Sequence, residues 1–159
     1  MIFVTLGTQD KVFTRLLKDI DQEIAKGNIK GEVVVQAGFT KYESKKMKIF
    51  DLLDKDAFDK YISECDLLIT HGGVGSILTG LKHGKKVIAA PRLAKYNEHM
   101  NDHQKQIIER FSEAGYILSY NEGDDLGEII KKTKNFKPKK YHSNTPSVIK
   151  LIKDFIDNN

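Results

Sequence analysis

The sequence has no tryptophan, one cysteine, three prolines and three arginines among its 26 basic residues. The single cysteine, Cys65, excludes a framework of disulfide bonds and is typical of proteins from a reducing compartment. The shortage of arginine argues against nucleic acid as a partner, because the forked guanidinium most often recognises base edges and phosphates. The net charge of +4 comes almost wholly from lysine.

The chain also lacks a long apolar run, since no stretch approaches the roughly 18 apolar residues of a membrane-spanning helix. Its first residues have no basic segment or cleavage site of a signal peptide, so we expect a core strand and a cytoplasmic protein. With 159 residues, 40% hydrophobic and 30% charged, the composition is typical of one globular domain.

Positive charge is concentrated in one ten-residue segment near the C-terminal end. Its lysines are Lys131, Lys132, Lys134, Lys137, Lys139 and Lys140. Such a cluster is typical of a solvated surface, but it could also lie against an anionic membrane.

Apolar segments of strand length alternate with segments of helical periodicity along the chain. We predict strands at residues 2–6, 32–37, 47–52, 67–71, 86–90 and 116–120. Helices are predicted at residues 13–24, 58–65, 76–83, 102–114, 126–130 and 145–157. This alternation predicts an α/β fold, a single Rossmann-like doubly wound parallel sheet that binds ligands at the carboxyl ends of its strands.

The segment from Leu67 to Ser76 joins an apolar strand to a helix through a turn that contains Gly72, Gly73 and Gly75. Glycine lets the backbone turn sharply and approach a ligand closely, because it has no Cβ. The following helix would direct its free N–H groups and positive dipole end at that ligand, which favours a phosphate. A tight strand-to-helix connection without a ligand is the other interpretation.

Two common phosphate-binding motifs do not fit this turn. A dinucleotide fingerprint requires G-x-G-x-x-G with an acidic residue about twenty positions later. Here Leu78 stands in place of the third glycine, and Lys95 lies near the position of the acid. A P-loop requires Gly-Lys-Ser or Gly-Lys-Thr, and the sequence contains neither.

Two other segments are predicted to reach the same edge of the sheet. The turn Gly7-Thr8-Gln9 follows the first strand, and the loop from Arg92 to Asn101 precedes a helix that starts near Asp102. Because the carboxyl ends of parallel strands lie at one edge, three parts of the chain converge on one crevice. Their hydroxyl, amide, glycine and histidine groups favour a phosphate-bearing ligand.

His99 and His103 have the spacing of two metal ligands on one helix. The glutamate that follows the first histidine of a metalloprotease helix is missing, because Met100 stands there. If the helix starts at Asn101 or Asp102, His99 lies outside it. We therefore predict no metal and no other cofactor.

The segment from His71 to Ser76, followed about thirty residues later by Asp102-His103-Gln104, resembles the nucleotide-sugar half of GT-B glycosyltransferases. The likeness is greatest to the family 28 type and extends from Val4 to segment 142–147. The resemblance implies a UDP-sugar donor site in which His71 and Ser76 meet the phosphates. The Gly7-Thr8 turn would cover the phosphates from the other side, and His103 and Gln104 would hold sugar hydroxyls.

The resemblance also gives the expected donor-binding residues. They are Gly7, Thr8, Gln9, His71, Gly72, Gly73, Gly75, Ser76, Thr79, Asp102, His103 and Gln104. Many GT-B enzymes have a ribose-binding glutamate at the position of Thr79, so the ribose contact could pass to another group. Glu98 is the candidate general base; a solvated loop carboxylate is an equal interpretation, and the base could lie on a partner.

The resemblance implies that the chain is the donor-binding subunit of a two-component inverting glycosyltransferase. It would move a hexose from a UDP-sugar to a polyprenyl-diphosphate-linked saccharide in capsule or exopolysaccharide synthesis. A non-catalytic nucleotide-sugar-binding regulatory module is the alternative. The sugar stays open between galactose, glucuronic acid and N-acetylglucosamine.

A complete GT-B enzyme has two Rossmann-like domains, and this length provides one. We therefore expect a membrane-anchored acceptor-binding subunit that recruits the chain to the cytoplasmic face of the membrane. Residues 1–141 would form the nucleotide-sugar-binding domain, and residues 142–159 a C-terminal helix of the same domain. The wide apolar arc of this helix favours docking onto the partner, but the helix could also complete the core of its own domain.

Overall fold

The computed structural model describes residues 1–142, 146, 149–150 and 152–153. Its strands are β1 (Ile2–Thr5), β2 (Val33–Gln36), β3 (Lys48–Phe50), β4 (Leu67–His71), β5 (Lys86–Ala90) and β6 (Leu118–Ser119). Its α-helices are α1 (Thr14–Ala25), α2 (Lys55–Glu64), α3 (Val74–Lys82), α4 (His103–Glu113) and α5 (Leu126–Lys132). A short 3-10 helix spans Ala94–Tyr96.

These strands form one parallel sheet in the order β3-β2-β1-β4-β5-β6. Ile2 of β1 lies beside Val33 of β2 on one side and Leu67 of β4 on the other. The strand order reverses between β1 and β4, and a doubly wound sheet binds its ligands at such a point. The predicted α/β class and single parallel sheet are confirmed.

Helices cover both faces of the sheet, which explains why its strands are continuous apolar runs. Alternate residues of β1 point to opposite faces. Val4 packs in the same core as Leu16 of α1, whereas Phe3 packs in a second core with Ile62 of α2 and Phe111 of α4. Within the described part of the chain, no helix is long and apolar enough to span a membrane.

Capping residues begin two of the helices. Asp54 accepts the N–H of Ala57 at 2.8 Å at the start of α2, and Asp125 accepts the N–H of Glu128 at 3.3 Å at the start of α5. The N-cap of α3 is Gly73, which has no side chain to occupy the free N–H groups of the first turn. The N-terminal end of α3 therefore has no side-chain cap, and it is open at the carboxyl edge of the sheet because Gly75 is exposed and Gly73, Val74 and Ser76 are partly exposed.

The structure corrects several predicted boundaries. Helix α3 begins at Val74, earlier than predicted. The third strand is shorter than predicted: it spans Lys48–Phe50 and lies at the outer edge of the sheet. The last strand is shorter than predicted and spans Leu118–Ser119. It starts later because the N–H of Tyr116 bonds to the carbonyl of Phe111 at 3.1 Å and closes α4, whereas the N–H of Tyr120 still bonds to the carbonyl of Ala89 in β5 at 2.8 Å.

The predicted docking helix, within residues 142–159, lies largely outside the described residues. Of those that are described there, Ile152 packs against the core that contains Phe3, and Ile149 is exposed. Its role at a partner interface stays a prediction.

The lysine-rich segment runs along the amino ends of the strands. Lys86, the first residue of β5, donates to the carbonyl of Thr133 at 2.5 Å, and the N–H of Lys139 donates to the carbonyl of Gly115 at 2.9 Å. The segment thus lies at the opposite edge of the sheet from the glycine turn. An anionic surface bound by these lysines would face away from the candidate site.

Candidate functional site

The three segments that were predicted to converge are neighbours at the carboxyl edge of the sheet. They are the turn after β1 (residues 7–9), the turn after β4 (residues 71–76) and the start of α4 (residues 102–104). The imidazole of His71 contacts both of the other segments, through Gly7 and Gln104. This histidine is therefore at the centre of the candidate site.

The imidazole of His71 lies between two glycines. A Cβ on Gly7 would come within 2.7 Å of its Nε2 atom, and a Cβ on Gly73 within 2.5 Å of its Cε1 atom. Gly7 also has a φ of +80°, which other residues rarely adopt. Both glycines are required by the histidine itself, as well as by any ligand that approaches the turn.

The other two glycines of the turn after β4 have different surroundings. A Cβ on Gly72 would lie 2.6 Å from the Cβ of Gln104, so α4 packs directly against the turn. Gly75, in the first turn of α3, has open space where a side chain would be. A ligand could therefore approach the first turn of α3 at Gly75 without meeting a side chain.

One side-chain amide fixes the orientation of His71. The Oε1 atom of Gln104 accepts the N–H of Gly72 at 3.0 Å and the N–H of Arg92 at 3.1 Å. Since both partners are donors, the other amide atom is the nitrogen, which lies 3.1 Å from Nδ1 of His71 and donates to it. The proton of the neutral imidazole is therefore on Nε2.

Burial lowers the pKa of His71 to about 4, and the nearby charge of Arg92 is the second cause. The imidazole is therefore neutral at pH 7. Its Nε2 atom lies 3.4 Å from the hydroxyl oxygen of Ser76. A neutral histidine in this state can donate a hydrogen bond to a phosphate but adds no full positive charge.

Three kinds of hydrogen-bond donor lie beside one another at the open end of α3, where His71 itself is only 5% exposed and its Nε2–H faces the hydroxyl oxygen of Ser76. They are the Nε2–H of His71, the hydroxyl of Ser76 and the main-chain N–H groups of the first turn. The N–H of Ile77 makes a bond to the carbonyl of Gly73 at 3.1 Å, so the N–H groups of residues 74–76 precede the bonded part of the helix. Together with the positive end of the helix dipole, these donors favour a phosphate.

Two of the side chains that were expected to contact the donor, those of Thr79 and Asp102, make hydrogen bonds within the protein. The hydroxyl of Thr79 donates to the carbonyl of Gly75 at 2.8 Å. A carboxylate oxygen of Asp102 accepts the N–H of Ala94 at 2.9 Å and so supports the 3-10 helix. This geometry favours local structural roles for both side chains, and their contacts with a donor stay predictions.

Gln104 is 4% exposed, and its amide faces inward. The geometry favours support of His71 over the predicted contact with a sugar hydroxyl. Thr8 is exposed, and Gln9 and His103 are partly exposed, at the same edge of the sheet. Their predicted contacts with the donor stay predictions.

Glu98 is 4% exposed, so its interpretation as a solvated loop carboxylate is wrong. Its carboxylate accepts Nε of Arg15 at 3.1 Å and Nη2 of Arg15 at 3.0 Å, and it accepts the N–H of Leu93 at 3.0 Å. Both oxygens of this carboxylate thus accept hydrogen bonds from the protein itself, which leaves little room for an acceptor hydroxyl to approach them. The geometry therefore does not favour the general-base role, which stays a prediction.

Sequence reasoning missed two arginines at this edge. Arg15 pairs with Glu98, and Arg92 is fully buried behind the crevice. The sequence offered one weak signal for these residues: most basic positions of the chain are lysine, and these two are arginine. Arginine is favoured where a rigid fork of donors is needed.

In the described part of the chain, no group of three or more His, Cys, Asp or Glu could hold a metal ion. The Nδ1 atom of His99 accepts the N–H of Asn101 at 3.3 Å, and α4 begins at His103. The two histidines therefore do not share a helix face. Metal-independent function stays a prediction.

The sequence profile of the glycosyltransferase family 28 C-terminal domain matches residues 1–158. The chain belongs to this family. The match covers the whole described domain, including the donors at the open end of α3, so the resemblance inferred from the sequence is confirmed.

Two curated relatives of this family 28 chain are named UDP-N-acetylglucosamine transferase subunit ALG13. The protein of Candida glabrata is 38% identical over 71 residues, which are 44% of this chain and 34% of the relative. The protein of Saccharomyces cerevisiae is 34% identical over 94 residues, which are 57% of this chain and 44% of the relative. The chain thus spans less than half the length of these relatives.

Three solved structures share the fold of this chain. An NMR structure of ALG13 matches with a TM-score of 0.61 and 23% identity, over 94% of this chain and 93% of that chain. MurG of Acinetobacter baumannii matches with a TM-score of 0.55 and 14% identity, over 83% and 40% of the two chains. The glycosyltransferase SnogD of Streptomyces nogalater matches with a TM-score of 0.54 and 16% identity, over 98% and 38%.

We predict that Gln104→Glu raises the pKa of His71 from about 4. A glutamate keeps an acceptor for the N–H groups of Gly72 and Arg92, but it replaces the amide donor at Nδ1 with an anionic acceptor. Such a neighbour favours the protonated imidazole, and we expect a rise of at least about one pKa unit. The chemical shifts of the His71 ring, followed by NMR against pH, measure it.

Gln106→Glu is the matched control, because it makes the same change on the exposed side of α4. We expect a much smaller change in the pKa of His71 in this variant. An unchanged pKa in Gln104→Glu would contradict the assigned contact between the amide and the imidazole.

Proposed function

We propose that this chain is the donor-binding subunit of a two-component inverting glycosyltransferase. It moves a hexose from a UDP-sugar to a polyprenyl-diphosphate-linked saccharide. The observation that carries the proposal is the set of donors at the open end of α3: the Nε2–H of His71, the hydroxyl of Ser76 and the N–H groups of the first turn. Such a set fits a diphosphate, and membership of family 28 supports a nucleotide sugar as the molecule that carries it.

Negative charge develops on the diphosphate as the bond between the sugar and UDP breaks. Donors that are already oriented stabilise this charge without reorganising during the reaction. His71 is fixed by Gln104 and neutral, so it donates a hydrogen bond to the leaving phosphate and transfers no proton. The positive end of the α3 dipole adds to this stabilisation.

The acceptor hydroxyl must lose a proton as it attacks the anomeric carbon from the side opposite to UDP. The carboxylate of Glu98 is held by Arg15 and by the N–H of Leu93, so it is poorly placed to take that proton. We therefore assign the general base to the partner subunit. In this division, the present chain stabilises the leaving group, and the partner binds and activates the acceptor.

A second component is supported by the names of the curated relatives, which are called a subunit of a UDP-N-acetylglucosamine transferase. We propose that the partner supplies the acceptor-binding domain and is anchored in the membrane that holds the polyprenyl chain of the acceptor. It recruits the present chain to the cytoplasmic face.

The sugar is one of three candidates. The names of the curated relatives contain N-acetylglucosamine. Galactose and glucuronic acid are the sugars expected for capsule or exopolysaccharide synthesis, which is the proposed setting. A panel of the three UDP-sugars, compared by saturation-transfer NMR on the isolated chain, distinguishes them.

We predict that His71→Gln binds UDP at least about tenfold more tightly than His71→Asn. The amide nitrogen of glutamine can reach the position of Nε2, whereas the asparagine side chain ends near Nδ1 and leaves the phosphate without that donor. A hydrogen bond to a charged group contributes about 1.5 to 3 kcal/mol, which is roughly 10- to 100-fold in affinity. Calorimetry with UDP measures the difference.

Ser76→Ala is expected to weaken UDP binding in the same assay, because it removes a second donor at the open end of α3. His83→Gln is the matched control, since His83 is exposed at the opposite end of α3. Equal UDP affinities for wild type, His71→Asn and Ser76→Ala would contradict the assignment of the phosphate site.

Sugar transfer by the reconstituted pair distinguishes the enzyme from a regulatory module. The assay combines the chain, its membrane partner, a labelled UDP-sugar and the lipid-linked acceptor. We expect product only when both proteins are present, a large loss of product with His71→Asn, and little loss when a chelator is added. Transfer by the partner alone at the full rate would contradict a catalytic role for this chain.

A further inference from the structure

Arg92 follows β5 and is the largest fully buried side chain among the described residues. Its guanidinium donates to three main-chain carbonyls, those of Leu6, of Lys11 at 2.7 Å and of Glu98 at 3.0 Å. Burial of a charged group is costly even when it is hydrogen-bonded. An arginine at this position therefore indicates a specific structural requirement.

Two of the three carbonyls flank the turn after β1. Leu6 comes directly before this turn and Lys11 comes after it, so one guanidinium holds both of its ends. The ring of Phe13 lies 5.3 Å from Cζ of Arg92 and covers the guanidinium. The turn is therefore fastened from inside the protein, and residues 8–10 remain at the surface.

The main chain of Arg92 supports the opposite side of the crevice, where the turn after β4 lies. Its N–H donates to Oε1 of Gln104, the atom that also accepts the N–H of Gly72. Gln104 in turn holds the imidazole of His71. Arg92 thus connects the turn after β1, through its side chain, with the support of His71, through its main chain.

The turn after β1 lies directly against the imidazole of His71, so the position of the turn relative to this ring is narrowly defined. A Cβ on Gly7 would lie 2.7 Å from Nε2 of His71, and a Cβ on Gly38 would lie 2.5 Å from the carbonyl oxygen of Gly7. Neither glycine has room for a Cβ, so the turn lies directly against His71 and residue 38 and has little space to move further inward. The bonds from Arg92 oppose movement in the outward direction.

We infer that Arg92 is a positioning residue of the donor site, which holds the turn after β1 against His71 so that a diphosphate is enclosed from both sides. The identity of the ligand rests on the proposed function, whereas the position of the turn does not. The pKa of Arg92 is lowered by burial to about 10, so the side chain is charged at neutral pH.

Lysine cannot replace arginine in this role. The three N–H groups of an ammonium leave from a single nitrogen, whereas the guanidinium reaches these carbonyls from two nitrogens held apart in one plane. The Nε atom of Arg92 has no hydrogen-bond partner in the described part of the chain. The two terminal nitrogens therefore make all of the bonds that hold the turn.

Arg92→Lys tests the inference, with Arg110→Lys on the exposed side of α4 as the matched control. We expect Arg92→Lys to stay folded and to bind UDP about 10- to 100-fold more weakly, since a displacement of about 1 Å can cost on that order. NMR order parameters of residues 7–10, measured without ligand, should fall in this variant. Those of the turn at Gly84 should not change.

Unchanged UDP affinity together with unchanged order at residues 7–10 would overturn the inference. A uniform loss of order and of stability, without a selective effect at residues 7–10, would also overturn it, because that result indicates a general structural role. Selective loss of order in a protein whose wild type binds no UDP would support the positioning role and contradict the proposed ligand.

If Arg92→Lys does not fold, the wild-type protein decides the question. The Nη protons of Arg92 should then give separate, slowly exchanging NMR signals with nuclear Overhauser contacts to residues 6 and 11. Averaged signals that exchange rapidly with water would overturn the inference.

Discussion

The arrangement at the carboxyl edge of the sheet depends on one buried oxygen atom, Oε1 of Gln104. It accepts main-chain N–H groups from two loops that follow neighbouring strands, at Gly72 after β4 and at Arg92 after β5. With the oxygen occupied in this way, the amide nitrogen must face His71. Leaving any of these buried groups without a partner would cost about 1 to 3 kcal/mol, so the core around them enforces a single arrangement.

This constraint determines what chemistry the site can provide. A histidine that accepts at Nδ1 and is buried stays neutral, because protonation would require both nitrogens to donate. The site is therefore built from oriented neutral donors and a helix dipole, which suits stabilisation of a leaving diphosphate better than proton transfer. The proposal that a partner supplies the general base is supported by the nearby carboxylate of Glu98, which is already paired with Arg15.

Much of the fold, and the convergence of three segments at the candidate site, could be predicted from local patterns. Apolar strand runs, helical periodicity and the glycines after His71 depend on residues close together in sequence, and the rule for parallel strands places their carboxyl ends at one edge. The inward orientation of Gln104, the pairing of Glu98 and the role of Arg92 each depend on at least one contact between residues 32 to 86 positions apart. No periodicity or spacing in the sequence encodes such contacts. For the same reason Gly7 and Gly73 were predicted to admit a ligand, whereas their contact with the imidazole became visible only in the fold.

The central claim is that His71 is a neutral donor whose proton is on Nε2 and points to the phosphate site. A long-range proton–nitrogen NMR spectrum of the His71 ring at pH 7, recorded with and without UDP, tests it most directly. We predict an unprotonated Nδ1 and a protonated Nε2 in both states, with a change in the Nε2 and proton shifts when UDP binds. A doubly protonated ring, a proton on Nδ1, or a ring whose shifts do not respond to bound UDP would contradict the account.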